Sequence, residues 1–313
     1  MSTDTATRKS LTEMFNRALT SFQNSKDAFR VVATLPRHTD TPTPRRPASG
    51  SRVETLIVLD SSFNPPTLAH LRMARSAVRD LKDKRAARVL LLLAVNNADK
   101  KPEPVEFGTR LGLMDAFARD LQTEVEEGPG EVEVEVDLGL ATVPFFHDKA
   151  RVIAESGWYG TGGGGGGGLE QVYLAGFDTL IRIFDTKYYN TTTPEPEDEE
   201  EAVVPIRRAL DPFFEQARLR VTMRVDDQWG GVEEQVGYLE GLKGGKLEEV
   251  GGRGQWCERV EMVQGGGAVV SSTKVREAAG RGDEDVLREL LSKGVRGWVL
   301  EEGLYKQEWR CLE

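Results

Sequence analysis

Two rhythms of apolar residues alternate along the chain. From Thr55 to Leu59 an unbroken run, Thr-Leu-Ile-Val-Leu, is bounded by turn residues and reads as a buried strand. Asn64-Pro65-Pro66 stops it, because proline fixes φ and lacks the N–H that a ladder needs. From Leu68 the period turns helical, through Leu71, Ala74, Ala77, Val78 and Leu81. The exchange recurs downstream. Residues 88–95 are a second apolar run, fit for a strand buried on both faces, and a helix follows at about 108–123. Val132, Val134 and Val136 alternate with glutamates and continue through Leu138 and Leu140, which predicts a strand with one wet face. Residues 171–175, 219–224 and 259–263 predict three more strands, and 179–185, 274–280 and 283–293 predict helices. Strands separated by helices predict an α/β fold built on a parallel sheet.

Ahead of that series, Leu11, Met14, Phe15, Ala18, Leu19 and Phe22 recur at helical spacing, predicting an amphipathic helix that packs on the main domain. The expected organisation is an N-terminal helical extension (1–35), a Pro/Thr/Arg-rich linker (36–52) and one domain (53–313). Two flexible insertions interrupt it, at 157–170 around a run of seven glycines and at 190–204, which is acidic. The formal net charge of −10 argues against a general nucleic-acid binder. No apolar run approaches the ~18 residues of a membrane span. Two cysteines, Cys257 and Cys311, are too few for a disulfide framework, and the three histidines have no metal-ligand spacing. The expected setting is a reducing intracellular compartment. Asp4, Glu13, Asp27 and Asp40 speak against a mitochondrial presequence.

Candidate chemistry gathers where strands end. In an α/β sheet the loop after the Thr55 strand lies at the carboxyl edge, where ligands bind. Its free N–H groups and the following helix N-terminus suit a phosphate, and His70 stands in the first helical turn. Far downstream, Ser271-Ser272-Thr273 opens another helix with hydroxyls and free N–H groups, and Arg276 projects to the same end, able to grip phosphate oxygens with its planar fork. Lys100 and Lys101 follow the second strand as mobile point charges, and Asp178 follows the fourth, where a carboxylate suits vicinal hydroxyls. Each has a plainer reading: a satisfied loop histidine, solvated lysines, an aspartate N-cap and a capped helix.

Together these segments resemble one family. Ser62-Phe63-Asn64-Pro65-x-Thr67-x-x-His70 is similar to the Gly-Ser-Phe-Asn-Pro-x-Thr-x-x-His of nicotinamide mononucleotide (NMN) adenylyltransferases, within the nucleotidyltransferase superfamily. Val270-Ser271-Ser272-Thr273-Lys274-Val275-Arg276 resembles that family's Ile-Ser-Ser-Thr-x-x-Arg, and Gly176-Phe177-Asp178-Thr179-Leu180 its Gly-x-Asp-x-Leu. The likeness spans roughly 54–310 without the insertions, as in a divergent eukaryotic, fungal-like member. It implies a doubly wound, Rossmann-like parallel sheet of strand order 3-2-1-4-5 with a helical C-terminal cap. It implies adenylyl transfer from ATP to NMN, giving NAD⁺ and pyrophosphate, in the cytoplasm or nucleus. His70 and Arg276 would donate to the triphosphate, and Thr67, Ser271, Ser272 and Thr273 would bind it, with Ser61, Ser62 and Phe63 beside them. Gly176 and Asp178 would lie against the nucleotide ribose and Lys100 or Lys101 at the mononucleotide phosphate. Mg²⁺ would be held mainly by ATP phosphates, with no metal site of the protein's own. Three departures stand out. Ser61 replaces the leading glycine, Asp99 an aromatic, and no Trp follows the third strand, where Phe145 or Phe146 supplies the flat face for the pyridine ring. The alternatives are a nucleotidyltransferase with another phosphate acceptor and a catalytically weak regulatory nucleotide-binding protein.

Overall fold

A computed structural model describes residues 2–38, 41–48, 52–95, 105–126, 134–160, 168–189, 204–224, 230–266 and 270–306. Lys100, Lys101, the acidic insertion and nearly all of the glycine run lie outside the described residues. The chain begins with α1 (Ser2–Gln23) and β1 (Phe29–Leu35). Then come β2 (Thr55–Asp60), α2 (Leu68–Arg79), β3 (Ala87–Ala94), α3 (Phe107–Glu126), β4 (Glu135–Ala141) and α4 (Phe146–Glu155). The second half carries β5 (Glu170–Gly176), α5 (Phe177–Ile183), α6 (Pro205–Gln216), β6 (Ala217–Thr222), α7 (Val232–Gly241), the one-turn α8 (Leu247–Glu249) and β7 (Val260–Val263). Three helices close the chain: α9 (Ser272–Arg281), α10 (Glu284–Leu290) and α11 (Lys293–Glu301).

The sheet has seven strands in the order β1-β4-β3-β2-β5-β6-β7. Its middle five, from β4 to β6, run parallel in the expected order, and β7 extends them in parallel. The chain winds outward from β2 through β3 and β4, then resumes at β5 on the other side of β2. That reversal makes a topological switch point at the carboxyl ends of β2 and β5, where ligands bind in such sheets. Successive residues of each strand feed two cores. Ile57, Leu59, Leu91 and Leu174 belong to one, under α1, α2, α3 and α9 to α11. Leu56, Val58, Leu92 and Tyr173 belong to the other, under α4 to α6.

The N-terminal segment differs from the expected extension and linker. Phe29–Leu35 is a strand, paired antiparallel to β4. Its run Phe-Arg-Val-Val-Ala-Thr-Leu carries the β-branched signal of a strand, and β4 gives it an edge to join. β4 consequently has no wet face: its residues 136–141 are buried. Asp137, on the side expected to meet water, is fully buried, accepting from Thr34 Oγ1 at 2.6 Å and from Arg88 Nη1 at 3.1 Å. Residues 41–48 are fastened to this edge. Thr43 O accepts from the Thr34 N–H at 3.0 Å, Arg45 N–H donates to Thr34 Oγ1 at 2.9 Å, and Arg45 also pairs with Glu135. α1 packs close on α3, and α3 in turn receives the C-terminal cap. A Cβ at Gly112 would stand 2.3 Å from Cη2 of Trp298, so glycine there lets α11 seat its indole on α3.

Candidate functional site

The loop from β2 to α2 crosses the switch point. Phe63 adopts φ +46°, a left-handed conformation that costs a non-glycine residue. The ring's full burial, 6.1 Å from the His70 ring and 6.4 Å from Phe117, over-determines the turn. Thr67 is the N-cap of α2 and is buried. Its N–H donates to His70 Nδ1 at 3.0 Å, and its hydroxyl meets the same nitrogen at 2.9 Å. A backbone N–H only donates, so Nδ1 is the acceptor and the neutral imidazole carries its proton on Nε2. Nε2 faces Ser61 Oγ at 3.1 Å. Burial pushes His70 down to about 4, and the charge of Arg224 adds to the shift. Near neutrality His70 is therefore an uncharged N–H donor.

The downstream motif closes on this loop. Ser271 is the N-cap of α9, its Oγ accepting from the Lys274 N–H at 3.3 Å. Ser272 Oγ donates to Pro65 O at 2.8 Å. Arg276 donates to Asn64 O at 3.0 Å and to Thr273 Oγ1 at 3.2 Å. Beyond α11, the Tyr305 hydroxyl donates to Asn64 Oδ1 at 2.9 Å in the interior. Two segments some two hundred residues apart thus form one framework.

The third wall comes from β5. Gly176 is the N-cap of α5, and a Cβ there would lie 2.6 Å from Asp178 Oδ1, so glycine makes room for that carboxylate. Asp178 sits in the first turn of α5, where the helix N-terminus favours a negative charge, and does not cap it. Arg224, just past β6, stands 4.0 Å from Asp178. The walls enclose a cleft of about 790 Å³ whose lining includes Ser61, Ser62, His70, Gly176, Asp178, Arg224, Ser271, Ser272, Thr273 and Arg276. Thr67 and Phe63 lie beneath it, holding His70 from behind.

Phe145 and Phe146 separate. Phe146 lines the cleft, while both rings line a smaller pocket of about 160 Å³ beside it, with Thr179 as a second shared wall. There Phe145 stacks on His147 at 5.6 Å and 5°, and Tyr189 tilts against His147 at 5.6 Å. Phe146 packs on Tyr173 at 5.0 Å.

Several residues here escape sequence reasoning. Arg224 carries a positional signal, since it follows a strand at the carboxyl edge. Lys149 and Asp60, with side chains 4% and 9% exposed, form an ion pair between α4 and the end of β2. The only hint was a lone Asp closing an apolar strand. His147 and Tyr189 meet through tertiary packing and leave no local pattern.

No protein-family model matches the chain. In Schizosaccharomyces pombe, a protein named "Putative nicotinamide mononucleotide adenylyltransferase" is 33% identical over 243 residues, covering 77% of this chain and 82% of the relative. The solved structure of Plasmodium falciparum nicotinic acid mononucleotide adenylyltransferase complexed with NaAD superposes with a TM-score of 0.50 at 11% identity, covering 80% of this chain and 97% of that one. The second likeness is one of fold. The first, at that identity and coverage, is one of descent, and the chain belongs to the nicotinamide mononucleotide adenylyltransferase family.

Proposed function

We propose that the chain transfers the adenylyl group of ATP to nicotinamide mononucleotide, giving NAD⁺ and pyrophosphate. The observation that carries this reading is the convergence of His70, Asp178 and the Ser271–Arg276 helix start on one cleft, with an aromatic pocket sharing its wall at Phe146 and Thr179. ATP lies in the cleft, its ribose hydroxyls against Asp178 and its phosphates on the α9 N-terminus. The pyridine ring of the mononucleotide enters the aromatic pocket, and its phosphate reaches back to the Ser61–His70 loop.

A phosphate oxygen of the mononucleotide attacks the α-phosphorus of ATP. The new P–O bond forms as the bond to the β-phosphate oxygen breaks, and pyrophosphate leaves with the electron pair. No covalent enzyme intermediate is needed; the residues position the reactants and meet the growing negative charge. His70 supplies its Nε2–H as a neutral donor. Arg276 and Arg224 supply fixed positive charge from facing walls. Thr67 acts through His70 by holding its tautomer. Mg²⁺ enters on the ATP phosphates as part of the substrate: the cleft's carboxylates, Asp60 and Asp178, each face a cation, and its walls offer hydroxyls and N–H groups.

The test is pyrophosphate release by the purified chain with MgATP and a panel of mononucleotides, with the dinucleotide product identified. Activity confined to a non-pyridine phosphate would transfer the site to another nucleotidyltransferase reaction. In the same assay Arg276→Lys, which keeps the charge but loses the fork, is expected to cut activity, because Arg276 braces Asn64 and Thr273 as well as facing the cleft. Phe145→Leu is expected to raise KM for the mononucleotide and not for ATP, by the ~1–3 kcal/mol of one stacking contact. Equal effects on both substrates would make Phe145 a packing residue.

A further inference from the structure

Most walls of the aromatic pocket are uncharged, and several are flat rings. Phe145 and His147 present stacked rings, and burial holds His147 below its ordinary value, so the imidazole is neutral near pH 7. The Tyr189 hydroxyl is engaged, donating to Ile183 O at 2.5 Å. Nearby, the Lys187 ammonium is matched by Asp185 at 2.6 Å. Arg182, in the last turn of α5, lines the same pocket. Among the described residues its exposed guanidinium has no ion-pair or hydrogen-bond partner. A planar cation with no partner among the described residues therefore lines a pocket otherwise walled by aromatic and apolar side chains.

We propose that Arg182 is a specificity determinant for the acceptor: it pairs with a carboxylate carried on the pyridine ring, so that the chain takes the acid mononucleotide in preference to the amide. The inference rests on the pyridine reading of the pocket given above. The chemistry is that of donors and acceptors. A guanidinium only donates, through parallel N–H groups, and a carboxylate accepts with two oxygens in matching geometry. A carboxamide offers one oxygen, and its NH₂ group has no acceptor on a guanidinium. Arg182 also balances the charge of the acid, which the amide lacks.

The experiment measures kcat/KM for nicotinate mononucleotide and nicotinamide mononucleotide with the full chain and MgATP, and the affinity of each mononucleotide by calorimetry. The wild-type chain is expected to favour the acid form. In Arg182→Leu the acid-to-amide ratio should fall about tenfold or more, as for loss of a hydrogen bond to a charged group, chiefly through KM for the acid. Arg182→Lys, retaining charge without the fork, should restore part of the ratio. A wild-type preference for the amide, or an equal ratio in wild type and Arg182→Leu, overturns the proposal while leaving adenylyl transfer intact. If neither mononucleotide binds or reacts, the pyridine reading fails and this inference fails with it.

Discussion

At the scale of single residues, the site turns on one proton. His70 receives the Thr67 N–H on Nδ1, so the donor it aims at a substrate is Nε2–H, and that donor needs no protonation event. Two consequences follow for pH. His70 should add no acid limb near 6.5 to the kcat/KM profile beyond the one that the substrate phosphates bring, because in the fold it titrates at about 4. The folded value is depressed, so the stabilisation is present above the unfolded value of 6.5 and is lost as pH falls from there through about 4. Thermal unfolding of His70→Gln across that window should lack this part of the acid destabilisation. His70→Ala should lower kcat at least ~10²-fold, as loss of one transition-state donor does. Ser61 adds a further test. Its hydroxyl engages Nε2 where the family's pattern has glycine, and so competes with phosphate for the proton. Ser61→Gly is expected to raise kcat a few-fold, the worth of one ordinary hydrogen bond, ~0.5–1.5 kcal/mol. An unchanged or lower kcat would show that the serine orients His70 and does not compete.

At the scale of elements, the active loop is held by the end of the chain. α9 meets it through Ser272 and Arg276, and the segment after α11 reaches its interior through Tyr305. The motifs themselves were legible, because a strand end, a proline stop and a helix start leave local residue patterns. Their mutual bracing was not, since a bond between residues 64 and 305 has no period along the chain. For the same reason Thr67 reads from sequence as a phosphate ligand but folds as the support of His70. Tyr305→Phe should take one donor from the buried Asn64 Oδ1, lowering stability by ~1–3 kcal/mol. Because Asn64 O also receives Arg276, the change should lower kcat as well. Stability lost with turnover intact would separate the interior of this bracket from the cleft. Lys149→Met is a harsher case, leaving Asp60 uncompensated in a largely buried setting, at ~3–5 kcal/mol. The double change Asp60→Asn with Lys149→Met should recover much of that loss, which a denaturation cycle would detect.

For the molecule as a whole, the central parallel strands were legible because strands buried on both faces are continuous apolar runs, and their order came with the family likeness. The N-terminal edge was misread because composition dominates there. Prolines and arginines between residues 36 and 52 look like a tether, yet Arg45 pairs with Glu135 and its carbonyl accepts from Arg88 Nη1 at 2.7 Å. The distinction is testable as a question of domain boundary. A detachable extension could be removed without harm. In this fold, removing residues 1–52 strips β4 of its antiparallel neighbour and exposes an open strand edge, a template for aggregation. It deprives buried Asp137 of Thr34, and it withdraws Phe15, Phe22 and Leu35 from a core they fill at 1%, 0% and 1% exposure. A single large aromatic-to-alanine change in such a core costs ~3–5 kcal/mol, a large share of a typical domain's ~5–15 kcal/mol. The truncated chain is therefore expected to aggregate or to lose its cooperative unfolding transition, and Phe15→Ala to lower Tm without touching KM for ATP. A soluble truncated chain with wild-type Tm and pyrophosphate release would return residues 1–52 to the status of a tether.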